Sequence, residues 1–231
     1  MKARKYLTFS FDDCEIYDRV LCDMFRKYDM KATFFLMTDY LGQKVDFHRY
    51  GEDTIVERVS ADEIKTTYAG MEVATHTAKH RCPVDDLENT VLKSAEYLSG
   101  ICGYEVKGMA YPGGGYTQEH VEGLKQLGIK YARTAGKHCT GRFDVPTEWL
   151  AWHPTCSYDD ECIWELAEAF VNYRGEQPVV FHIYGHSYEM TRKEKGCGFA
   201  DFEELLKYLS GREDVIYSTN MEVWEALKCM E

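Results

Sequence analysis

Apolar segments of strand length alternate with segments of helical periodicity along almost the whole of this 231-residue chain. The strand-like segments are predicted at 7–11, 32–36, 71–74, 106–111, 129–132, 148–153, 178–184 and 215–218. The helical segments are predicted at 16–28, 60–68, 86–98, 117–127, 160–173, 202–209 and 221–230, and 38–60 is expected to be a long loop. This alternation predicts an α/β fold, a parallel sheet covered by helices that is either open or closed into a barrel. Because no linker or repeat interrupts the pattern, we expect a single domain over 1–231.

The composition argues against several classes of function. The 27 basic residues are outnumbered by 39 acidic ones and form no stripe, so we expect no nucleic-acid partner. No run approaches the about 18 apolar residues of a membrane helix, and no signal segment is visible, so we expect no membrane partner. The nine cysteines are scattered and contain no C-x-x-C pair, which favours reduced thiols and a cytoplasmic location.

The first apolar strand runs directly into two adjacent carboxylates, in the sequence Ser10-Phe11-Asp12-Asp13. Burying a carboxylate without a partner is costly, and two neighbouring carboxylates resist joint ionisation unless a cation is near. One interpretation is therefore a metal ligand beside a general base. The alternative is an Asx turn or the N-cap of the following helix.

Histidines follow two other predicted strands. His76 and His80 come after 71–74, and His186 comes after 178–184. The first two share one face if their segment is helical, so that both imidazoles reach one ion. A pair of solvated surface histidines is the alternative, but ligands bind at the carboxyl ends of parallel strands, where all these residues fall. Two imidazoles and one carboxylate leave coordination positions open, as in a catalytic zinc site.

These motifs resemble those of the polysaccharide deacetylase family (the NodB homology domain, carbohydrate esterase family 4), whose fold is a distorted (β/α) barrel. Residues 10–13 are similar to the family's T-F-D-D motif and 76–80 to its H-[ST]-x-x-H motif. The resemblance implies a distorted (β/α)7-type barrel, Asp12 as general base, and Asp13, His76 and His80 as ligands of one divalent ion. It favours Zn²⁺, with Co²⁺, Ni²⁺, Mn²⁺ and Fe²⁺ as alternatives.

Two family motifs are altered. The third motif has an arginine two residues before its proline, whereas this chain has Ala110 before Tyr111 and Pro112. The fourth, an Asp-x-x-Asp-Trp-like strand end, is missing. We hypothesise that Arg133, on the neighbouring strand, supplies the missing guanidinium and orients Asp12. The alternative is an arginine on the rim of the barrel that serves solubility.

The last family motif, L-x-H, fits the sequence twice, at 180–182 and at 184–186. We assign the catalytic acid to His186, because Gly185 marks the end of the strand and the acid belongs just beyond it. The run from Tyr184 to Glu189 also resembles a subgroup of these deacetylases with a G-H-S-Y-E ending. His182 is then expected to be a buried, hydrogen-bonded histidine.

Three further residues are assigned to substrate binding. The resemblance implies that the backbone N–H of Tyr111 donates to the oxyanion, with Pro112 beside it; an ordinary aromatic at a strand end is the alternative. Trp152 either lines a sugar subsite together with Trp149 and His153 or covers the barrel.

For Cys14, next to the proposed ligand, a small packed thiol is favoured over a metal ligand.

The function implied is metal-dependent deacetylation of an N-acetylated sugar, oligosaccharide or polysaccharide. Hydrolysis of a small non-sugar amide or of a sugar O-acetyl ester is the nearest alternative. Because two histidines and one carboxylate also form the facial triad of non-haem iron enzymes, oxygen chemistry is a third hypothesis. The altered motifs leave a non-catalytic carbohydrate-binding relative as a fourth.

Overall fold

The structure, a computed structural model, describes residues 4–49, 52–191 and 196–228. Its strands are β1 Lys5–Asp12, β2 Thr33–Leu36, β3 Lys44–Arg49, β4 Glu52–Glu57, β5 Glu72–Thr75, β6 Gly108–Ala110, β7 Tyr131–Arg133, β8 Cys156–Ser157, β9 Val179–Gly185 and β10 Val215–Tyr217. Its α-helices are α1 Asp18–Lys27, α2 Ile64–Thr67, α3 Lys93–Cys102, α4 Gln118–Gln126, α5 Ile163–Asn172, α6 Phe199–Leu209 and α7 Asn220–Lys228. The main sheet has the order β7-β6-β5-β2-β1-β9-β8, with every pair parallel, and β10 pairs with the start of β1.

One segment, 152–157, joins the two ends of this sheet. The Trp152 N–H donates to the carbonyl oxygen of Ala132 in β7 at 2.9 Å. Three residues later, the Thr155 N–H donates to the carbonyl oxygen of His182 in β9 at 2.8 Å. The segment therefore closes the curled sheet, and the expected α/β fold with a distorted (β/α)7-type barrel is confirmed.

Most of the predicted elements are present with slightly shifted ends, but two predictions are wrong. The expected loop 38–60 contains the antiparallel hairpin of β3 and β4, which pairs with itself rather than with the main sheet. The expected strand 148–153 is a short 3-10 turn, Trp149–Ala151, because the Glu148 carboxylate accepts the Leu150 N–H at 3.0 Å and turns the chain. The end of the predicted helix 221–230 lies outside the described residues, and the single domain over 1–231 stays a prediction.

The helices cover the outer face of the sheet. Leu7, Phe9 and Phe11 of β1 are fully buried there, and the Phe9 ring contacts Phe25 of α1 and Phe202 of α6 at centroid distances of 5.0 and 6.0 Å. Aromatic contacts of this kind add to the apolar area that the helices bury. Among the helices that the structure describes, none has the length and apolar character needed to cross a membrane.

The inner face of β1 is polar instead. Thr8 donates to Asn220 Oδ1 at 2.7 Å, and Asn220 Nδ2 donates to Ser10 Oγ at 2.9 Å. Ser10 Oγ in turn lies within hydrogen-bond distance of His182 Nε2, at 2.6 Å. The first residue of α7 therefore connects the bottom of the barrel to a histidine below the upper rim.

Loss of Asn220 should destabilise the fold. Asn220→Ala removes the partner of two buried hydroxyls, at an expected cost of about 1–3 kcal/mol in the free energy of unfolding. Chemical denaturation measures this, with the exposed Asn172→Ala as the matched control. An equal, small loss in both variants would contradict the role of this network.

Candidate metal and catalytic site

The carboxyl ends of four strands bring the candidate residues to one rim of the barrel. Asp12 ends β1 and Asp13 follows it, His76 follows β5, Arg133 ends β7, and His186 follows β9. This is the edge at which parallel α/β folds bind their ligands. The expectation that these polar residues converge is confirmed by the distances between them.

Asp13, His76 and His80 form a group with ligand geometry. Their donor atoms lie within 4.8 Å of one another, and the Asp13 Oδ1 atom is 3.6 Å from His76 Nε2 and 3.8 Å from His80 Nε2. Asp13 Oδ1 is buried and makes no hydrogen bond to the described residues. A buried carboxylate oxygen facing two imidazole nitrogens matches the donor set of a divalent cation such as Zn²⁺.

His76 is oriented as a metal ligand would be. Its Nδ1 atom lies 2.9 Å from the carbonyl oxygen of Ala110, so Nδ1 carries a hydrogen and Nε2 is the nitrogen directed at Asp13. Burial is the main reason that the pKa of His80 is lowered, which favours its neutral imidazole. Both rings direct their Nε2 atoms toward Asp13, at 3.6 and 3.8 Å from its Oδ1 atom.

The segment 76–80 is a turn, so the interpretation that a shared helix face aligns its two histidines is wrong. Thr77 and His80 have φ angles of 69° and 54°, in the left-handed region that residues other than glycine rarely adopt. The turn is held from outside by the Ala78 N–H, which donates to the Thr90 carbonyl oxygen at 2.8 Å. Thr90 lies in a π-helical segment, Glu88–Leu92, that precedes α3.

Asp13 is in a comparable turn, with a φ of 80°. Its carbonyl oxygen accepts a hydrogen bond from Arg58 Nη1, which also pairs with the Glu15 carboxylate. Arg58 and Glu15 are both buried. Neither was predicted from the sequence, because the arginine reaches this site only through the unpredicted hairpin that precedes it.

Arg133 is fully buried and does not lie on a solvated rim. Its Nη2 atom contacts Asp12 Oδ1, and its guanidinium lies 5.2 Å from the ring centroids of both Phe35 and Tyr184. Burial raises the pKa of Asp12, but the charges of Arg133, His76 and His186 outweigh it and lower the pKa to about 2. The contact that we hypothesised is present, and its catalytic role stays a prediction.

His186 lies across the site from the ligands. Its Nε2 atom is 3.9 Å from Asp12 Oδ2, and its Nδ1 atom is 3.3 Å from Glu189 Oε2. Burial lowers the pKa of His186, but the hydrogen bond to Glu189 and the charges of Asp13 and Asp12 raise it to about 9. The role of Glu189 was missed, although the G-H-S-Y-E run contained its signal.

His182 is buried and hydrogen bonded, as predicted. Its exposed fraction is 1%, and the Trp152 ring lies 4.4 Å from its own. Burial, and then the charge of Arg133, lower its pKa well below the usual value. A neutral imidazole enclosed in this way suits the barrel interior better than contact with a substrate.

Two assignments to substrate binding are wrong. The Tyr111 N–H donates to the carbonyl oxygen of Arg133 at 2.9 Å, so the strand ladder uses the donor that we expected at the oxyanion. Trp152 has an exposed fraction of 1% and packs against Tyr131 and Trp149, so it fills the barrel rather than a sugar subsite. Pro112 lies at the rim in a short turn, and its contact with substrate stays a prediction.

Two further observations complete the site. Cys14 is buried in the outer core, as expected for a packed thiol. A cavity of about 380 Å³ opens beside Asp13 and His80, with Tyr40 and Tyr188 in its walls. This volume falls within the range of small-molecule sites.

A family model described as polysaccharide deacetylase matches residues 2–132. No curated protein sequence matches the chain significantly.

Several solved structures share its fold. A polysaccharide deacetylase described as putative, from Mycobacterium smegmatis, is 15% identical, with 99% of this chain and 91% of that chain covered and a TM-score of 0.61. A family 4 carbohydrate esterase from Streptomyces lividans, in complex with acetate, is 16% identical over 92% of this chain and 91% of its own, with a TM-score of 0.54. The chain spans 57% of a Streptococcus pyogenes deacetylase, which covers 57% of this chain at 22% identity and a TM-score of 0.46.

Replacement of Arg133 should affect stability far more than that of an exposed arginine. Arg133→Met leaves the buried Asp12 carboxylate without its partner, at an expected cost of about 3–5 kcal/mol in the free energy of unfolding. Arg142→Met breaks only an exposed ion pair with Asp144 and should cost less than about 1 kcal/mol. Urea denaturation of both variants measures these losses in the free energy of unfolding. Equal losses would show that the buried ion pair is not needed for the fold.

Proposed function

Because the chain belongs to the polysaccharide deacetylase family, we propose that it is a metal-dependent hydrolase that removes acetyl groups from N-acetylated sugars or oligosaccharides. One observation carries this proposal. The Oδ1 atom of Asp13, which has no hydrogen-bond partner among the described residues, faces two imidazole nitrogens, next to a carboxylate and a third imidazole on the same rim. The acetate bound to the Streptomyces lividans esterase agrees with an acetyl group as the part removed.

Asp13, His76 and His80 would hold the metal ion. Their one oxygen and two nitrogen donors suit Zn²⁺, and they leave positions open for other groups. When bound, such an ion lowers the pKa of water and polarises a carbonyl group. The chain's own residues then supply the proton transfers.

Asp12 would act as the general base. Its low pKa keeps it ionised at neutral pH, and its Oδ2 atom lies 3.9 Å from both His76 and His186. Arg133 occupies the other oxygen, so only Oδ2 is directed to the site. This arrangement leaves one carboxylate oxygen to take a proton from an attacking water.

His186 would act as the general acid. With Nδ1 directed at Glu189, its Nε2–H points away from that carboxylate toward Asp12 and the site. The raised pKa keeps the imidazole protonated at neutral pH, which an acid requires. It would protonate the departing nitrogen of the acetamide.

We also propose a cytosolic location. The cysteines that the structure describes are free thiols, which supports it.

Metal binding is the first test. The purified protein should hold about one divalent ion per chain. His76→Ala should reduce bound metal to background after dialysis, while His138→Ala, a histidine outside the ligand group, should not. Elemental analysis and calorimetric titration with Zn²⁺ measure this, and full metal content in His76→Ala would exclude the site. Oxygen uptake by the iron-loaded protein would instead favour the non-haem iron hypothesis.

The second test separates the two histidines. His186→Ala should slow release of acetate from N-acetylated chito-oligosaccharides by about 10²–10⁴-fold. Hydrolysis of p-nitrophenyl acetate should change little, because a phenolate leaves without protonation. His182→Ala should lower the melting temperature without this amide-selective loss. The opposite result, with the selective loss in His182→Ala, would move the acid to His182.

A further inference from the structure

A buried carboxylate anchors the segment behind the candidate acid. Asp18, in the first turn of α1, is fully buried, and its Oδ1 atom accepts a hydrogen bond from Ser187 Oγ at 2.6 Å. Its Oδ2 atom accepts from the hydroxyl group of Tyr68 at 2.8 Å. Ser187 is also fully buried and directly follows His186. One carboxylate therefore holds α1, the end of α2 and the segment after β9 together.

Helix capping does not account for this carboxylate. Among the described residues, no side chain caps the N-terminus of α1, and both oxygens of Asp18 accept from groups of other segments. Burial of Asp18 raises its pKa to about 7, so its position has an energetic cost. An apolar side chain in this position would avoid that cost but could not hold Ser187.

The anchored segment carries both members of the acid pair. The 3-10 turn Ser187–Thr191 begins at Ser187, and the Glu189 N–H donates to the carbonyl oxygen of His186 at 3.2 Å. The position of this turn thus sets the His186 ring and its Glu189 partner relative to Asp12. A displacement of about 1 Å in a reacting group can cost on the order of 10²-fold in rate.

We infer that Asp18 is a positioning residue for the general acid: through Ser187 it fixes the turn that carries His186 and Glu189. The inference rests on the proposed function, since it needs His186 to protonate a leaving nitrogen. Among the described residues, the hydrogen-bond donors to the Asp18 carboxylate are Ser187 and Tyr68, not the proposed metal ligands. Its effect should therefore appear in the step that needs the acid and not in metal binding.

Three variants test this. Ser187→Ala and Asp18→Ala remove the anchor, whereas Asp18→Asn keeps an acceptor for Ser187 and a donor for the Tyr68 hydroxyl. Tyr68→Phe is the matched control, because it removes the other hydrogen bond of Asp18 and leaves the contact with Ser187. Each variant is assayed on N-acetylated chito-oligosaccharides and on p-nitrophenyl acetate, with metal content and melting temperature measured in parallel.

We expect Ser187→Ala to lower kcat on the acetamide by about 10- to 100-fold, with ester hydrolysis within about threefold and metal content unchanged. Asp18→Asn should recover most of the acetamide activity that Asp18→Ala loses, and Tyr68→Phe should lower only the melting temperature. Equal losses on both substrates in Ser187→Ala would overturn the inference and leave the proposed function standing. A wild-type protein that cleaves neither substrate would overturn both.

Discussion

The ion pair between Asp12 and Arg133 is the interaction on which the upper half of the barrel depends. It joins β1 to β7, which are separated by three other strands in the sheet, so it crosses the barrel interior. Removing both charges from water costs several kcal/mol, and their attraction offsets this only when the geometry is good. The aromatic rings of Phe35 and Tyr184 enclose the guanidinium and help to fix it. The pair therefore tolerates little displacement of either strand.

The other buried charges of the barrel interior also need partners that offset the cost of their burial. Glu72 is buried near the bottom of the barrel, where its carboxylate accepts from the hydroxyl groups of Thr33 and Tyr131 and from the Met221 N–H. Its polar contacts are thus satisfied by residues of β2, β7 and α7. At the rim, by contrast, Asp13 Oδ1 is buried without a hydrogen-bond partner among the described residues. This atom lies where the chemistry is proposed, and the satisfied network lies below it.

The sequence predicts those parts of the molecule that depend on local pattern. Alternating apolar residues identify β1 and β9, and the carboxylates and histidines after strand ends predict the ligand group. Features that depend on tertiary structure could not be read in this way. The strand ladder takes the Tyr111 N–H, and closure of the barrel buries Trp152, but neither residue carries a local signal of its partner. A helical face was considered for His76 and His80 because spacing alone does not distinguish such a face from a turn.

Electrostatics assigns opposite roles to the two groups that face each other across the site. Asp12 and His186 are 3.9 Å apart, and their pKa values are displaced in opposite directions, to about 2 and about 9. At neutral pH the carboxylate is therefore ionised and the imidazole protonated, which is the division of labour that an acid–base pair needs. A cation beside Asp13 would lower the pKa of both groups and so preserve their order. Arg133, beside Asp12, and Glu189, beside His186, maintain that order of pKa values.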